Sequence, residues 1–488
     1  MLFVSLEYFI FLPLVIVIYY LLPHRARWAF LLSGSIIFLV SAGVSNLFVV
    51  LIVTAISYFS GLLLDSDKKH EFKKLVFIIT LVADIGILAF FKYFNFLNDN
   101  LSVFLNLFGV NNPIPGLSIL LPLGISFYTF QAIGYTYDIY SGNQKAEKHP
   151  GVLATYILFF PKLIAGPVER AYNFIPQLYQ KIDFDDQRIV QGLRLILWGL
   201  FKKMVIGNRL AIFVNYGFNN VREFDGLSLF ILIFFQAFHL YADFSGYTDI
   251  ALGSAKILGF NLTDNFNKPF LATSVSDYWR RWHISLASWV KDYIFKPLSL
   301  SIAINRNWGK WGIIYALTVT FVLFGLWHGA SWSFIVFGFV QSLALSYEVL
   351  TRKIRKKLSR KIPAGIYNPL SILFTFLFVC YSAVFFRAND LKDALYVISN
   401  SLNNFADFFS ADLIKSHFTG LGFNRWDALV SGSGILLIIA THSSKYYGIN
   451  EALKNKPVAY RWSIYVFLIL AIIFLGTFTS ENFIYFQF

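Results

Sequence analysis

Ile313-Ile314-Tyr315-Ala316-Leu317-Thr318-Val319-Thr320-Phe321-Val322-Leu323-Phe324-Gly325-Leu326-Trp327 carries no charge along its whole length. Its apolar residues do not alternate, whereas a strand of an outer-membrane barrel needs about ten residues alternating apolar and polar. A helix crosses a hydrocarbon core of roughly 30 Å with about 20 apolar residues. The sequence predicts one such span over 313–347, long enough to be tilted. Comparable stretches recur from Leu2 to Phe478, about ten in all by the same length criterion. Hydrophobic residues make up 57% of the 488 and charged residues 14%, against about a quarter charged in a soluble domain. The predicted fold class is therefore an all-α polytopic membrane protein of about 10–12 transmembrane or re-entrant helices.

Charge places these helices across the bilayer. Seven Lys or Arg residues and no acid fall between Arg352 and Lys361, which predicts a cytoplasmic loop. His24, Arg25 and Arg27, and then Lys68, Lys69, Lys73 and Lys74, fit the same alternation, with the amino terminus outside and the first span, Pro13 included, retained. The formal net charge of +14 is thus a matter of topology and of contact with anionic lipid headgroups. No basic stripe with interleaved exposed aromatics suggests nucleic-acid binding. Cys380 is the only cysteine, so no internal disulfide forms and no cysteine metal cluster exists; no metal is expected.

Three regions follow. Residues 1–92 form N-terminal transmembrane helices near 2–22, 28–44, 45–64 and 75–91. Residues 93–388 form the core with interfacial and re-entrant pieces: a short aromatic helix amid the Asn- and Pro-rich stretch 93–120, polar-interrupted spans at 117–140 and 151–170, and a long helix at 187–216 with Lys202 and Lys203 near its middle. A span at 224–241, a separate helix at about 247–258, the Trp- and Arg-rich interfacial stretch 261–312 and a span at 366–386 complete it. Residues 389–488 comprise an external segment and C-terminal helices near 431–441 and 462–478.

Two histidines invite chemistry. In Tyr278-Trp279-Arg280-Arg281-Trp282-His283-Ile284-Ser285-Leu286 a continuous helix would put Trp279, Trp282, His283 and Leu286 on one face and the arginines on another. Spacing alone leaves open a satisfied histidine packed against tryptophan. In Gly325-Leu326-Trp327-His328-Gly329 an ionisable group sits at membrane depth, where it must pair or line a path. Its neutral ring could take a proton from a hydroxyl, and an interhelical hydrogen bond is the plainer alternative. In Tyr241-Ala242-Asp243-Phe244-Ser245-Gly246-Tyr247-Thr248-Asp249 the two carboxylates are expected to pair with Arg280, Arg281 or Lys202, with Gly246 a candidate helix break. No Gly-x-Ser-x-Gly elbow, Walker loop or dinucleotide fingerprint is present.

The run Tyr241–Ala251, then Phe266-Asn267-Lys268-Pro269-Phe270, Trp279–Leu286 and Gly325–Gly329 in that order resemble membrane-bound O-acyltransferases, in particular the bacterial branch that acetylates alginate and related exported polymers. The likeness extends from Phe3-Val4-Ser5-Leu6-Glu7-Tyr8-Phe9 to Phe483-Ile484-Tyr485-Phe486-Gln487-Phe488. It implies that the helices surround a central reaction chamber, that His328 is the catalytic residue and that His283 shares that chamber. It implies further that an acetyl group passes from a cytoplasmic thioester, acetyl-CoA, through a membrane tunnel for O-acetylation of an exported or cell-wall polysaccharide. Trp279, Arg280, Arg281, Trp282 and Trp327 are the candidate donor-binding residues. A separate periplasmic or extracellular transferase is the expected partner, and the bacterial inner membrane the expected location. D-alanyl transfer, the activity of a related branch, would use the same histidines. A transporter without covalent chemistry also fits broken helices, although no inverted repeat is apparent.

Overall fold

A computed structural model describes residues 1–478 except Ile119, Ala165, Asn307, Tyr446 and Tyr447, and all described regular structure is helical. The closing Phe483–Phe488 motif lies outside the described residues. Among the described residues, seven helices are long and apolar enough to cross a membrane, and a further apolar helix, Leu6–Leu21, is shorter. The chain divides into two compact units, one of residues 1–193 with 251–263, the other of 194–250 with 264–488.

The first unit contains α1 (Leu6–Leu21), α2 (His24–Val40), α3 (Ser45–Leu64), α4 (His70–Asn106), α5 (Ile125–Tyr140), α6 (Pro150–Leu158), α7 (Phe160–Leu163), α8 (Ala171–Tyr179) and the start of α9 (Asp186–Leu200). Pro13 stays inside α1, as expected where neighbouring helices can satisfy the freed carbonyl. The short aromatic helix expected within 93–120 is instead the continuation of α4, whose 37 residues reach about 55 Å at 1.5 Å per residue. Its far end is held by Asn side chains. Asn98 and Ser102 accept from Asn112, and Asn95 donates to the Leu117 carbonyl, which ties the returning segment to α4. The 151–170 interruption is real: α6 and α7 are split at Phe159, whose ψ is 108°.

In the second unit α9 runs into a π-helical turn, Phe201–Gly207, and on into α10 (Asn208–Asn219). Against it lies α11 (Gly226–Ile257), 32 residues without a break. Gly246 does not end this helix. It lets α11 approach so closely that a Cβ there would stand 2.8 Å from the Gly199 carbonyl oxygen. Next come α12 (Val275–Trp279), α13 (Ile284–Val290), α14 (Lys296–Arg306), α15 (Lys310–His328), α16 (Trp332–Lys361) and α17 (Ala364–Arg387). After these follow α18 (Leu391–Asn400), α19 (Ala411–Gly420), α20 (Arg425–Ser443), α21 (Ile449–Leu453) and α22 (Val458–Leu475).

The predicted single span over 313–347 is two antiparallel helices. Gly329 and Ser331 are extended, and the Ser331 hydroxyl caps α16 by accepting from the Ser333 amide. A Cβ on Gly325 would meet the Phe334 carbonyl, and one on Gly338 the Phe321 carbonyl, so small residues let the two helices close on each other. His328 is consequently the last residue of α15, at the tip of a hairpin, rather than midway along a span that continues to the other face.

Candidate active site

His328 ends α15 with an almost fully buried imidazole, 5% exposed. Its ring is framed by aromatic edges and faces: Phe324 at 4.6 Å, Trp327 at 4.8 Å and Phe386 at 4.9 Å between centroids. It faces a cavity of about 30 Å³, lined also by Trp279, Trp282, Gln341, Ser382 and Phe386, which is space for about two water-sized groups. The hairpin tip, α12 and the end of α17 therefore converge on one histidine.

Polar residues absent from the sequence reading hold this wall. Trp279 Nε1–H donates to Gln341 Oε1 at 3.1 Å, and Gln341 Nε2–H donates to Ser382 Oγ at 2.9 Å, both buried. Two turns further along α16, Glu348 accepts from the amides of Val275 and Ser276 at 2.6 and 3.3 Å. An anion at the positive end of even a short helix is favourable, and here it fixes the helix that delivers Trp279. Gln341 and Glu348 are seven residues apart and so share one helix face. That spacing in an apolar run was the available signal, since a polar group at membrane depth needs a partner.

His283 is organised separately. The predicted continuous helix over 278–286 is broken: α12 stops at Trp279, and His283 adopts a left-handed φ of 44° before α13. The break arises because the chain pairs backward, with Asn267 N–H donating to the Arg281 carbonyl and Ile284 N–H to that of Asn265. Asn265 Oδ1 accepts from the Ser285 hydroxyl at 2.6 Å and stands 3.3 Å from His283 Nδ1. A carbonyl oxygen only accepts, so Nδ1 carries the proton and Nε2 is the basic nitrogen. Burial pushes this imidazole down to about 3, which keeps it neutral. The residues lining the His328 cavity do not include His283; its ring packs on Phe244 at 4.7 Å.

The other candidates divide. Trp279 and Trp282 line the cavity, and Trp327 packs beside His328. Arg280 and Arg281 do not line it. Both pair with Asp277, at 3.5 and 3.0 Å, and Arg280 is 72% exposed. Of the partners expected for the two carboxylates, Lys202 is found and the arginines are not: Asp249 pairs with Lys202 at 2.9 Å, while Asp243 pairs with Lys203, both lysines being buried in the π-helical turn. The extra residue of a π-turn shifts the register of side chains, and here two consecutive lysines both face α11.

With its helical membrane core and a buried histidine on a small aromatic cavity, the chain belongs to the membrane-bound O-acyltransferase family, whose profile matches residues 151–386. It is an O-acyltransferase. The chain is 34% identical to the probable alginate O-acetylase of Azotobacter vinelandii, over 85% of this chain and 80% of that one. It is 32% identical to the peptidoglycan O-acetyltransferase of Helicobacter pylori, over 80% and 77% of the two chains. A teichoic acid D-alanyltransferase of Bacillus subtilis is 28% identical over 56% of this chain and 70% of its own.

Proposed function

We propose that this protein moves an acetyl group from a cytoplasmic thioester, acetyl-CoA, to a hydroxyl of an exported or cell-wall polysaccharide, directly or through a separate transferase outside the bacterial inner membrane. The observation that carries the reading is His328 on a cavity of about 30 Å³, a size that suits a two-carbon acyl group better than a bulky one. The relatives aligned over 80% or more of this chain are named for alginate and peptidoglycan, and both polymers supply hydroxyl acceptors.

His328 acts as general base. The acceptor oxygen attacks the thioester carbonyl as its proton passes to His328, the C–S bond breaks, and the thiolate leaves with that proton. Trp279 and Trp282 hold the acyl group at the cavity wall, with Trp327 packing His328 into place. Arg280 and Arg281, at the surface, steer the phosphate-bearing donor, so donor affinity falls as salt rises. His283, off the cavity and locked by Asn265, orients the donor at one remove, through the adjoining Trp282.

Labelled acetyl-CoA and labelled D-alanyl carrier protein, each supplied to membranes holding the full chain, separate the readings. Cleavage of the acetyl thioester, reduced ~10²–10⁴-fold by His328→Ala, is the expected result. Unchanged cleavage in that variant overturns the base. Cleavage of the D-alanyl donor alone moves the protein to the alanyl branch, and solute movement with the thioester intact makes it a transporter.

A further inference from the structure

Apart from the His328 cavity, the second unit brings together a serine, a histidine and an aspartate from three segments. Ser228 Oγ lies 2.7 Å from His417 Nδ1, and His417 Nε2 lies 3.3 Å from Asp407 Oδ2. Asp407 is in the short turn Phe405–Phe409, His417 in α19, and Ser228 in the first turn of α11. A chain neighbour of each is anchored in one apolar cluster: Leu227 in its buried core, with Phe408 and Phe418 packed against it. The three polar groups are thereby held in register by hydrophobic packing rather than by their own bonds.

The hydrogen-bond chemistry sets the direction of the chain. A carboxylate only accepts, so His417 Nε2 bears the proton that points at Asp407, and Nδ1 of the neutral ring accepts from the Ser228 hydroxyl. This is the order of a hydroxyl nucleophile, its base and the group that orients the base, with the two ring nitrogens exchanged relative to the serine hydrolases. Ser228 also stands at the positive end of a 32-residue helix, which favours negative charge developing near its oxygen.

No residue of the trio lines the His328 cavity. The basic run 352–361, expected as a loop, is the last turns of α16, and α17 runs from Ala364 beside it to Arg387 at its other end, where Arg387 donates to Asn215, Asn389 to the Phe218 carbonyl and Tyr396 to the Phe224 carbonyl. The start of α11 therefore lies away from that basic end of α16. Leu240, which lines the His328 cavity, is twelve residues further along α11, about 18 Å at 1.5 Å per residue.

We propose that Ser228, His417 and Asp407 form a second acyl-handling site, in which Ser228 is acylated by a small ester. Ser228 is 4% exposed, and the His417 and Asp407 side chains 16% and 23%, so the opening is on the imidazole and carboxylate side and the acyl group admitted is short. In the step, Ser228 Oγ attacks the ester carbonyl and its proton passes to His417 Nδ1. The C–O bond to the alcohol breaks, the alcohol takes that proton, and the acyl group remains as a Ser228 ester until water or a second hydroxyl, deprotonated by the same nitrogen, removes it. No part of this passes through His328, so its failure and that of the reading above are distinguishable.

The test is p-nitrophenyl acetate added to the full chain in detergent, with release of p-nitrophenolate followed in time and the peptide containing Ser228 weighed by mass spectrometry. A burst, and an acetyl on Ser228 that hydroxylamine removes, are expected. Ser228→Ala abolishes the adduct, and His417→Gln slows it ~10²-fold or more. Asp407→Asn keeps the packing but offers a donor to Nε2, so the ring reverses its tautomer and the adduct is lost in a folded protein. His328→Ala leaves it in place. A trio that only pins α19 to α11 gives no adduct on Ser228, or one whose rate ignores His417→Gln and Asp407→Asn, and either result overturns the proposal.

Discussion

Gly246→Ala tests how closely α11 must lie against the π-helical turn. The new Cβ would stand 2.8 Å from the Gly199 carbonyl oxygen and 3.0 Å from the Lys203 amide nitrogen, while ordinary contact begins at 3.4 Å. The backbones must therefore separate by 3.4 − 2.8 = 0.6 Å, and they do so where Lys203 meets Asp243 and Lys202 meets Asp249. Overpacking of this kind costs about 1–3 kcal/mol. Alanine gains about 0.8–1.0 kcal/mol over glycine in a helix interior, so the single variant alone gives an ambiguous net change. Gly432→Ala resolves it, because a Cβ at that helical position of the same unit meets nothing within 4 Å. Both variants take the propensity gain, and only Gly246→Ala meets the clash. Unfolding in mixed micelles, followed by tryptophan fluorescence, should place Gly246→Ala about 1–3 kcal/mol below Gly432→Ala. Equal stability of the two would refute the close approach.

Lys203→Met removes the cation paired with the buried Asp243 carboxylate and should cost about 3–5 kcal/mol, whereas Lys203→Met with Asp243→Leu removes both charges and should recover most of it; the same micelle titration reads both, and additive losses would count against a buried pair. His283 has a folded value of about 3, below the roughly 6.5 of an unfolded histidine. The unfolded chain thus binds the extra proton first, and this group's contribution is complete above about pH 6.5 and declines as the pH falls toward 3, by up to ~1.4 kcal/mol per unit. His283→Asn, which tolerates the left-handed backbone, should flatten that acid slope in thermal unfolding, and an unchanged slope would mean the imidazole is not held neutral by burial.

The sequence by itself determined that the chain is helical and lies in a membrane, because that follows from local quantities: the length of apolar runs, their lack of alternation and the sparse charge. It also singled out His328, since an imidazole at membrane depth is conspicuous without knowing its neighbours. Tertiary structure decided what depends on distant partners. The run through 313–347 is apolar enough to continue as one helix, yet it folds back at Gly329–Ser331 because Gly325 and Gly338 allow two helices to pack. Gly246 looked like a break from its propensity and proved to be a contact with Gly199. The helix expected through His283 gave way to pairing with Asn265 and Asn267, and the cavity wall rests on Gln341, Ser382 and Glu348, each useful only through a group far along the chain. Periodicity reports which face of an element is apolar; it contains no term for the residue that element will meet.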